Sequence, residues 1–240
     1  MAIYALADLH LAMSFPGKTM EVFGGEWKDY MSRIRENCMN ILTPEDTLLI
    51  PGDLSWATYL KDAVEDFSFI DSLPGTKIIC RGNHDYYWTT VKKMEEFFAA
   101  EGFGTIKIAR HNAIRTEGAL ITGTRGWKMP GDDDFTEQDR KIYDREKERM
   151  KLCLSALSEA DPMHELTHIV MLHYPPLTNV RMKTELSELI ETSGADICLY
   201  GHLHGRARQK VFEGAKESAP GTVYKCVSAD YLGFRPLRIL

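Results

Sequence analysis

Short aliphatic runs alternate with longer amphipathic segments along the chain, and this alternation limits the possible folds to a small set. Six runs are rich in aliphatic and β-branched residues and have the length of buried strands. Between several of them, apolar residues recur at helical spacing. Alternating strands and helices predict parallel sheet built from right-handed crossovers, and therefore an α/β fold. The predicted strands are 3–7, 47–50, 77–80, 120–122, 169–172 and 197–200, and the predicted helices are 27–42, 59–73 and 91–100.

Two stretches depart from this alternation. Residues 105–124 and 210–240 contain short strands with turns and few helices, which predicts a second, partly antiparallel sheet. Residues 136–160 form a long helical pattern whose charged face is typical of a solvated surface helix. The sequence contains no internal repeat and no linker, so we expect residues 1–240 to form a single domain.

Composition excludes some classes of partner. The chain has 240 residues, 44% of them hydrophobic, and a formal net charge of −6, which disfavours binding to long nucleic acid or to an anionic membrane. The five cysteines are widely spread and form no C-x-x-C pair, which indicates reduced thiols. No basic leader and no membrane-length apolar run is present, so we expect a cytoplasmic protein. The pattern gives no signal for an oligomeric state.

Polar residues follow five of the predicted strands. In an open α/β sheet, residues beyond the carboxyl ends of the strands converge although they are far apart in sequence. Glycines within these motifs allow tight turns and close approach of the backbone. The five motifs are Asp8-Leu9-His10, Gly52-Asp53, Gly82-Asn83-His84-Asp85, His173-Tyr174-Pro175-Pro176 and Gly201-His202-Leu203-His204.

These residue types together indicate a metal site. A lone histidine is more often a hydrogen-bonded core residue, and Gly-Asp or Asn-His-Asp is commonly turn chemistry. Five such motifs, each at a strand end, favour a mixed nitrogen and oxygen ligand set suited to Mn, Fe or Zn, with Mg less suitable. On an extended strand, an Asp-x-His or His-x-His pair would place both side chains on one face. The predicted ligands are Asp8, His10, Asp53, Asn83, His173, His202 and His204.

The five motifs resemble those of the calcineurin-like metallophosphoesterases, with the pattern D-x-H, G-D, G-N-H-D/E, a single His and G-H-x-H. The resemblance spans residues 8–204, and residues 51–57 and 82–86 resemble a branch of small bacterial members with poorly defined substrates. It implies a four-layer α/β-β/α sandwich of two mixed sheets flanked by helices. It also implies two metal ions bridged by Asp53, one held with Asp8, His10 and His204, and the other with Asn83, His173 and His202.

The chemistry implied by the resemblance is in-line attack on phosphorus by a hydroxide that bridges the two ions. His84 would be the catalytic residue that is not a ligand, either stabilising the transferring phosphoryl group or protonating the leaving group. The phosphate-binding Arg of phosphoprotein phosphatases, in G-D-x-x-D-R-G, is missing after Asp53, so a phosphoprotein substrate is disfavoured. Arg81 and Arg125 are candidate phosphate contacts, although surface ion pairs are the simpler interpretation.

Three functions remain open at this stage. The first is hydrolysis of a small phosphomonoester or phosphodiester. The second is a nuclease acting on DNA or RNA ends, which the acidic balance and the absence of a Lys/Arg-rich stretch disfavour. The third is a non-catalytic metal-binding scaffold, which the full ligand set disfavours. The aromatic run 86–88 could stack on a planar group or pack in the core, and the acidic loop 131–134 is interpreted as solvated surface.

Overall fold

The secondary structure follows the predicted alternation of strands and helices. It comes from a computed structural model that describes residues 1–15, 17–18, 20–178, 183–213 and 221–240. The helices in these ranges are α1 (Tyr30–Ile41), α2 (Val64–Ser72), α3 (Val91–Glu101), α4 (Glu137–Ala160) and α5 (Glu185–Thr192). The strands are β1 (Ile3–Ala5), β2 (Thr47–Pro51), β3 (Thr76–Cys80), β4 (Ile106–Ile108), β5 (Ile114–Thr116), β6 (Ala119–Thr124), β7 (Thr167–Leu172), β8 (Ile197–Tyr200), β9 (Val223–Cys226) and β10 (Leu237–Arg238).

The strands form two five-stranded sheets. The first has the order β10-β1-β2-β3-β4 and is parallel except for β10, which pairs antiparallel with β1. The second has the order β5-β6-β7-β8-β9 and is parallel except for β5. Parallel neighbours direct their carboxyl ends to the same edge of a sheet, which is where the polar motifs of the sequence lie.

Alternating side chains of the strands divide the interior into three cores. In β2, Leu48 and Ile50 pack toward the helices, whereas Leu49 packs toward the other sheet. In β7, Val170 and Leu172 face helices while Ile169 and Met171 face the first sheet. Both faces of each central strand are thus buried, which explains their continuous apolar runs. The layers are helices, sheet, sheet and helices, so the predicted α/β-β/α sandwich is confirmed.

The predicted composition of the second sheet was partly wrong. Strands β4 and β10, from the two stretches assigned to that sheet, both join the first sheet. Helix α3 carries the chain back along the sheet between β3 and β4. Strand β4 therefore pairs in parallel with β3. Only β5 gives the second sheet its antiparallel part. Residues 214–220 of the predicted region lie outside the described residues.

The long charged helix α4 has one apolar face. Its first turn carries a capping box in which Thr136 and Asp139 exchange hydrogen bonds between side chain and backbone. Leu157 and Cys153 lie in the core, whereas Leu152 is 56% exposed. All five cysteines are free and buried. No described helix combines the length and apolar character needed to cross a bilayer.

Candidate metal centre

The loops that follow β1, β2 and β8 lie against one another at the edge between the two sheets. The backbone N–H of Asp8 donates to the carbonyl of Gly52 over 3.1 Å, and that of His10 donates to the carbonyl of Asp53 over 2.9 Å. From the second sheet, the N–H of His202 donates to Oδ2 of Asp8 over 3.0 Å. Backbone hydrogen bonds therefore fix the positions from which the polar side chains project.

The seven predicted ligands converge at this edge. Oδ2 of Asp53 lies 3.7 Å from Nε2 of His10 and 3.3 Å from Nε2 of His173, so this carboxylate stands between two groups of side chains. On one side, ligand atoms of Asp8, His10 and His204 lie within 4.8 Å of one another.

The other group is centred on Asn83. Its Oδ1 lies 2.7 Å from Nε2 of His173 and 3.0 Å from Nδ1 of His202. The side chains of Asp8, Asp53 and His173 also approach to within 4.8 Å. The arrangement of two groups about Asp53 has the form expected for a pair of cations that share one carboxylate.

The backbone geometry of the ligand pairs differs from the prediction of extended strands. Strand β1 ends at Ala5, and Asp8, His10 and His202 have φ values of 56°, 44° and 69°. Asp53, with a φ of 52°, is also left-handed. This conformation is uncommon for residues other than glycine, and it persists where surrounding contacts determine it. The side chains converge because the loops turn sharply, and not because residues two apart share a strand face.

Burial dominates the electrostatics of the centre. It raises the pKa of Asp8 to about 6, against the opposing attraction of His173, and it lowers the pKa of His10 to about 3. Burial also disfavours the charge of His173, but Asp53 and Asp8 outweigh it and raise the His173 pKa to about 9. The charge of His173 likewise outweighs burial at Asp53 and holds that pKa well below its usual value. In the absence of a bound cation, the charged forms of Asp53 and His173 therefore stabilise each other, with Oδ2 of Asp53 3.3 Å from Nε2 of His173.

Several atoms at the centre are better placed to bind a cation than to form hydrogen bonds within the chain. Both ring nitrogens of His10 and Oδ2 of Asp53 are buried, and none has a hydrogen-bond partner among the described residues. Such groups are costly unless something binds them. Nδ1 of His173 lies 3.1 Å from the carbonyl of Pro51, which leaves Nε2 as the ligand atom. The residues present thus fit bound metal ions.

Comparison with known proteins agrees with this geometry. The family model described as calcineurin-like phosphoesterase matches residues 1–206. The chain belongs to this family. It is accordingly a metal-dependent hydrolase of phosphoesters in the general sense, and the predicted resemblance is confirmed. No curated protein matches the sequence significantly.

Solved structures show that this phosphoesterase shares its fold with distant proteins. Phosphopantetheinyl hydrolase (PptH) from Mycobacterium tuberculosis is 13% identical, with a TM-score of 0.58 over all of this chain and 95% of that one. The protein TT1561 of Thermus thermophilus is 12% identical, with a TM-score of 0.55 over 99% of this chain and 97% of that one. At these identities the likeness concerns the fold.

His84, predicted to be catalytic, lies beside the predicted metal ligands of the phosphoesterase. Its backbone N–H donates to Oδ1 of Asp53 over 2.8 Å, and its ring centroid lies 5.5 Å from that of His10. Nδ1 of His84 is buried and has no hydrogen-bond partner among the described residues. Trp56 stacks on His10 at 5.0 Å and also contacts His84. Trp56 therefore packs against the rings of the centre.

Asp85 is a residue whose importance the sequence did not reveal. It is fully buried, and its carboxylate accepts hydrogen bonds from the N–H groups of Gly82 and Leu54 over 2.6 and 2.8 Å. It also accepts from the N–H of Asp53 over 3.0 Å and from the Tyr87 hydroxyl over 2.9 Å. Asp85 thus ties the loops after β2 and β3 together. Its place in a common turn motif gave no signal of this role.

Other predicted residues border the centre without lying among its ligands. Tyr87 and Trp88 are core residues, and within the run 86–88 only Tyr86 is exposed. Arg81 and Arg125 line a separate cleft of about 70 Å³. The loop 131–134, interpreted as solvated surface, forms one wall of a cleft of about 370 Å³ that reaches His202. Residues 131, 133 and 134 are exposed, in agreement with that interpretation, although residues 132–134 also line the cleft.

Proposed function

We propose that this phosphoesterase hydrolyses a small phosphomonoester or phosphodiester at a centre of two metal ions. The position of Asp53 carries the proposal, because its Oδ2 lies between the imidazoles of His10 and His173, 3.7 Å and 3.3 Å from their Nε2 atoms. One ion would be held by Asp8, His10, Asp53 and His204, and the other by Asp53, Asn83, His173 and His202, with Mn, Fe or Zn suited to these ligands. When bound, such ions lower the pKa of a shared water and neutralise phosphoryl oxygens.

The large cleft supports a small substrate. It adjoins His202, and its volume of about 370 Å³ lies within the range of small-molecule sites. Trp127 and Tyr174, whose ring centroids are 5.3 Å apart, provide an apolar wall. Lys210 adds a positive charge, whereas Lys128 forms an ion pair with Asp134 over 2.6 Å. The acidic residues of loop 131–134 that line the same cleft disfavour a polyanionic strand of nucleic acid. The cytoplasmic location stays a prediction.

The chain's own residues have distinct roles in this proposal. Asp53 holds the two groups of ligands at a fixed separation. Its Oδ1 accepts the backbone N–H of His84 and so fixes the loop that carries the His84 ring. From there His84 hydrogen-bonds to the transferring phosphoryl group or passes a proton to the leaving oxygen.

The test uses purified protein with Mn²⁺ and three substrates: a chromogenic monoester, a chromogenic diester and short single-stranded DNA. We expect His84→Ala to bind the same amount of Mn²⁺ but to lower kcat by about 100-fold or more. Asp53→Asn should lower both the bound Mn²⁺ per chain and kcat, because it removes the shared carboxylate. His164→Ala, at an exposed position outside the centre, serves as the matched control and should retain wild-type activity.

Two results would contradict the proposal. Rapid cleavage of DNA with little turnover of either ester would identify a nuclease. Failure of the metal-loaded wild type to hydrolyse any member of a broad phosphoester panel would indicate a non-catalytic scaffold. Mn²⁺ content, measured on the same samples by elemental analysis, separates loss of metal from loss of catalysis.

A further inference from the structure

A second cleft lies beside the metal centre, and four of its nine lining residues are arginines. It contains Arg81, Arg110, His111, Arg125 and Arg149, and it is distinct from the cleft that reaches His202. We propose that this cleft, which we call the arginine cleft, binds a tetrahedral oxyanion such as a phosphate group. Guanidinium groups match such oxygens with paired hydrogen bonds.

The balance of charge in the arginine cleft favours an anion. Glu146 is buried, and it forms ion pairs with Arg149 and, over 3.8 Å, with Arg125. In the described part of the chain, Arg81 and Arg110 form no salt bridge. Four guanidinium groups against one carboxylate leave an excess of three positive charges within one small space. Such repulsion between like charges is relieved when an anion binds.

Glu146 has little capacity to balance the additional arginines. Its Oε2 already accepts hydrogen bonds from Oγ1 of Thr124 over 2.8 Å and from the N–H of Gly126 over 3.2 Å. Its Oε1 is the atom that faces both Arg125 and Arg149. The Glu146 carboxylate therefore holds Arg125 and Arg149 in place. Its single negative charge does not neutralise all four arginines of the cleft.

Unpartnered nitrogens in the arginine cleft provide independent support. Nε of Arg81, Nε of Arg125 and Nε2 of His111 are all buried and have no hydrogen-bond partner among the described residues. Buried donors normally have partners, so the two guanidinium Nε–H groups in one cleft favour a ligand with several acceptor atoms, and the His111 nitrogen can join them in the tautomer that carries its hydrogen on Nε2. A tetrahedral oxyanion has four acceptor oxygens and can engage donors from different directions.

The size and position of the arginine cleft narrow the choice of ligand. Its volume of about 70 Å³ exceeds the space of a single water and suits a group as small as phosphate. The cleft adjoins the metal centre through the main chain: Arg81 lies two residues before Asn83, and the carbonyl of Arg125 accepts the N–H of His173 over 3.1 Å. The anion is therefore either a second phosphate group of a substrate or free phosphate.

Binding is tested by isothermal titration of inorganic phosphate into the full-length chain, after chelation of metal and in chloride buffer. Without metal, the carboxylates of Asp8 and Asp53 repel phosphate from the centre, so the heat reports on the arginine cleft. We expect Arg110→Gln to weaken phosphate binding by about tenfold, and the double variant with Arg149→Gln to weaken it further. Arg235→Gln, which removes an exposed arginine elsewhere, should bind as the wild type does.

Absence of phosphate binding to the wild type, or equal binding by wild type and Arg110→Gln, would overturn the proposal. Because Arg110 is exposed, its replacement should leave folding intact, and thermal unfolding of each variant checks this. Titration requires no turnover, so its outcome is independent of the proposed hydrolysis.

Kinetics of the Mn²⁺-loaded protein then distinguish the two sources of phosphate, and this arm rests on the proposed function. The substrates are 4-nitrophenyl phosphate and a nucleoside bisphosphate. A higher KM of Arg110→Gln for the bisphosphate alone assigns the arginine cleft to a second phosphate group of the substrate. Unchanged KM for both, together with weakened phosphate titration, assigns it to free phosphate.

Discussion

Replacing Gly82 by alanine tests whether the position of Asp53 is as narrowly fixed as the structure shows. A Cβ at residue 82 would lie 2.0 Å from Oδ1 and 2.3 Å from the backbone nitrogen of Asp53. Ordinary contacts of a Cβ begin at 3.4 Å, so the carboxylate oxygen would have to move by about 1.4 Å. The opposing atoms include backbone, and no flexible side-chain end can yield instead.

Two consequences of Gly82→Ala follow from this displacement. Overpacking of this kind costs about 1–3 kcal/mol in the free energy of unfolding. A shift of about 1 Å in a catalytic group lowers activity by about 100-fold. Since residue 82 does not have a positive φ, alanine meets no backbone strain there, and the whole effect is attributable to the contact with Asp53.

The assay for Gly82→Ala is kcat/KM for a chromogenic phosphoester across a titration of Mn²⁺, with thermal unfolding measured in parallel. Gly104→Ala is the matched control, because nothing lies within 4 Å of its Cβ. The control should behave as the wild type does. Activity of folded Gly82→Ala within threefold of wild type at saturating Mn²⁺ would refute the reasoning, since Asp53 would then tolerate a displacement that should disrupt the centre.

Three further predictions concern stability, each measured by urea unfolding. Burial lowers the pKa of Lys77 to about 8, so between pH 8 and 10.5 the unfolded chain binds more protons than the native one. The free energy of unfolding should therefore rise with pH across this range, by at most about 3 kcal/mol. A Lys77→Met variant should lack this pH dependence. Asp85→Asn should lower the free energy of unfolding by about 3 kcal/mol, whereas Tyr87→Phe, which removes only one hydrogen bond to Asp85, should lower it by about 1 kcal/mol. Equal losses in the two variants would argue against Asp85 as the residue that links the loops. Thr136→Ala should cost about 1 kcal/mol by removing the cap of α4, and an unchanged midpoint would contradict that role.

The order of the layers of helices and sheets and the position of the metal centre could be predicted from the sequence, because both depend on local patterns that recur along the chain. Continuous apolar runs such as 169–172 indicate strands buried on both faces, and motifs at strand ends indicate one edge. The sheet assignment of β4 and β10 was not predictable in this way. Strands of three and two residues carry no pattern that identifies their neighbour, and their pairing depends on contacts distant in sequence.

The details of the site depended on tertiary structure. The left-handed backbone of Asp8 and His10 is imposed by hydrogen bonds to the loop after β2, so the spacing D-x-H alone suggested a strand. Arg110 and Arg149 belong to no motif. They reach the arginine cleft from a loop after β4 and from the middle of α4, and an isolated arginine in a charged helix gives no sign of such a role. Their grouping became visible only in the structure, where both line one cleft and Glu146 pairs with Arg149 and Arg125.

The two sheets contribute unequal and incomplete parts of the centre. Asp8, His10, Asp53 and Asn83 follow strands of the first sheet, whereas the remaining imidazoles, those of His173, His202 and His204, follow strands of the second. A chain in which only the first half had folded would present carboxylates without most of their nitrogen partners. In the proposed centre, tight binding of cations would therefore require both sheets to be folded and packed together. Each bound ion would stabilise that assembled state by mass action.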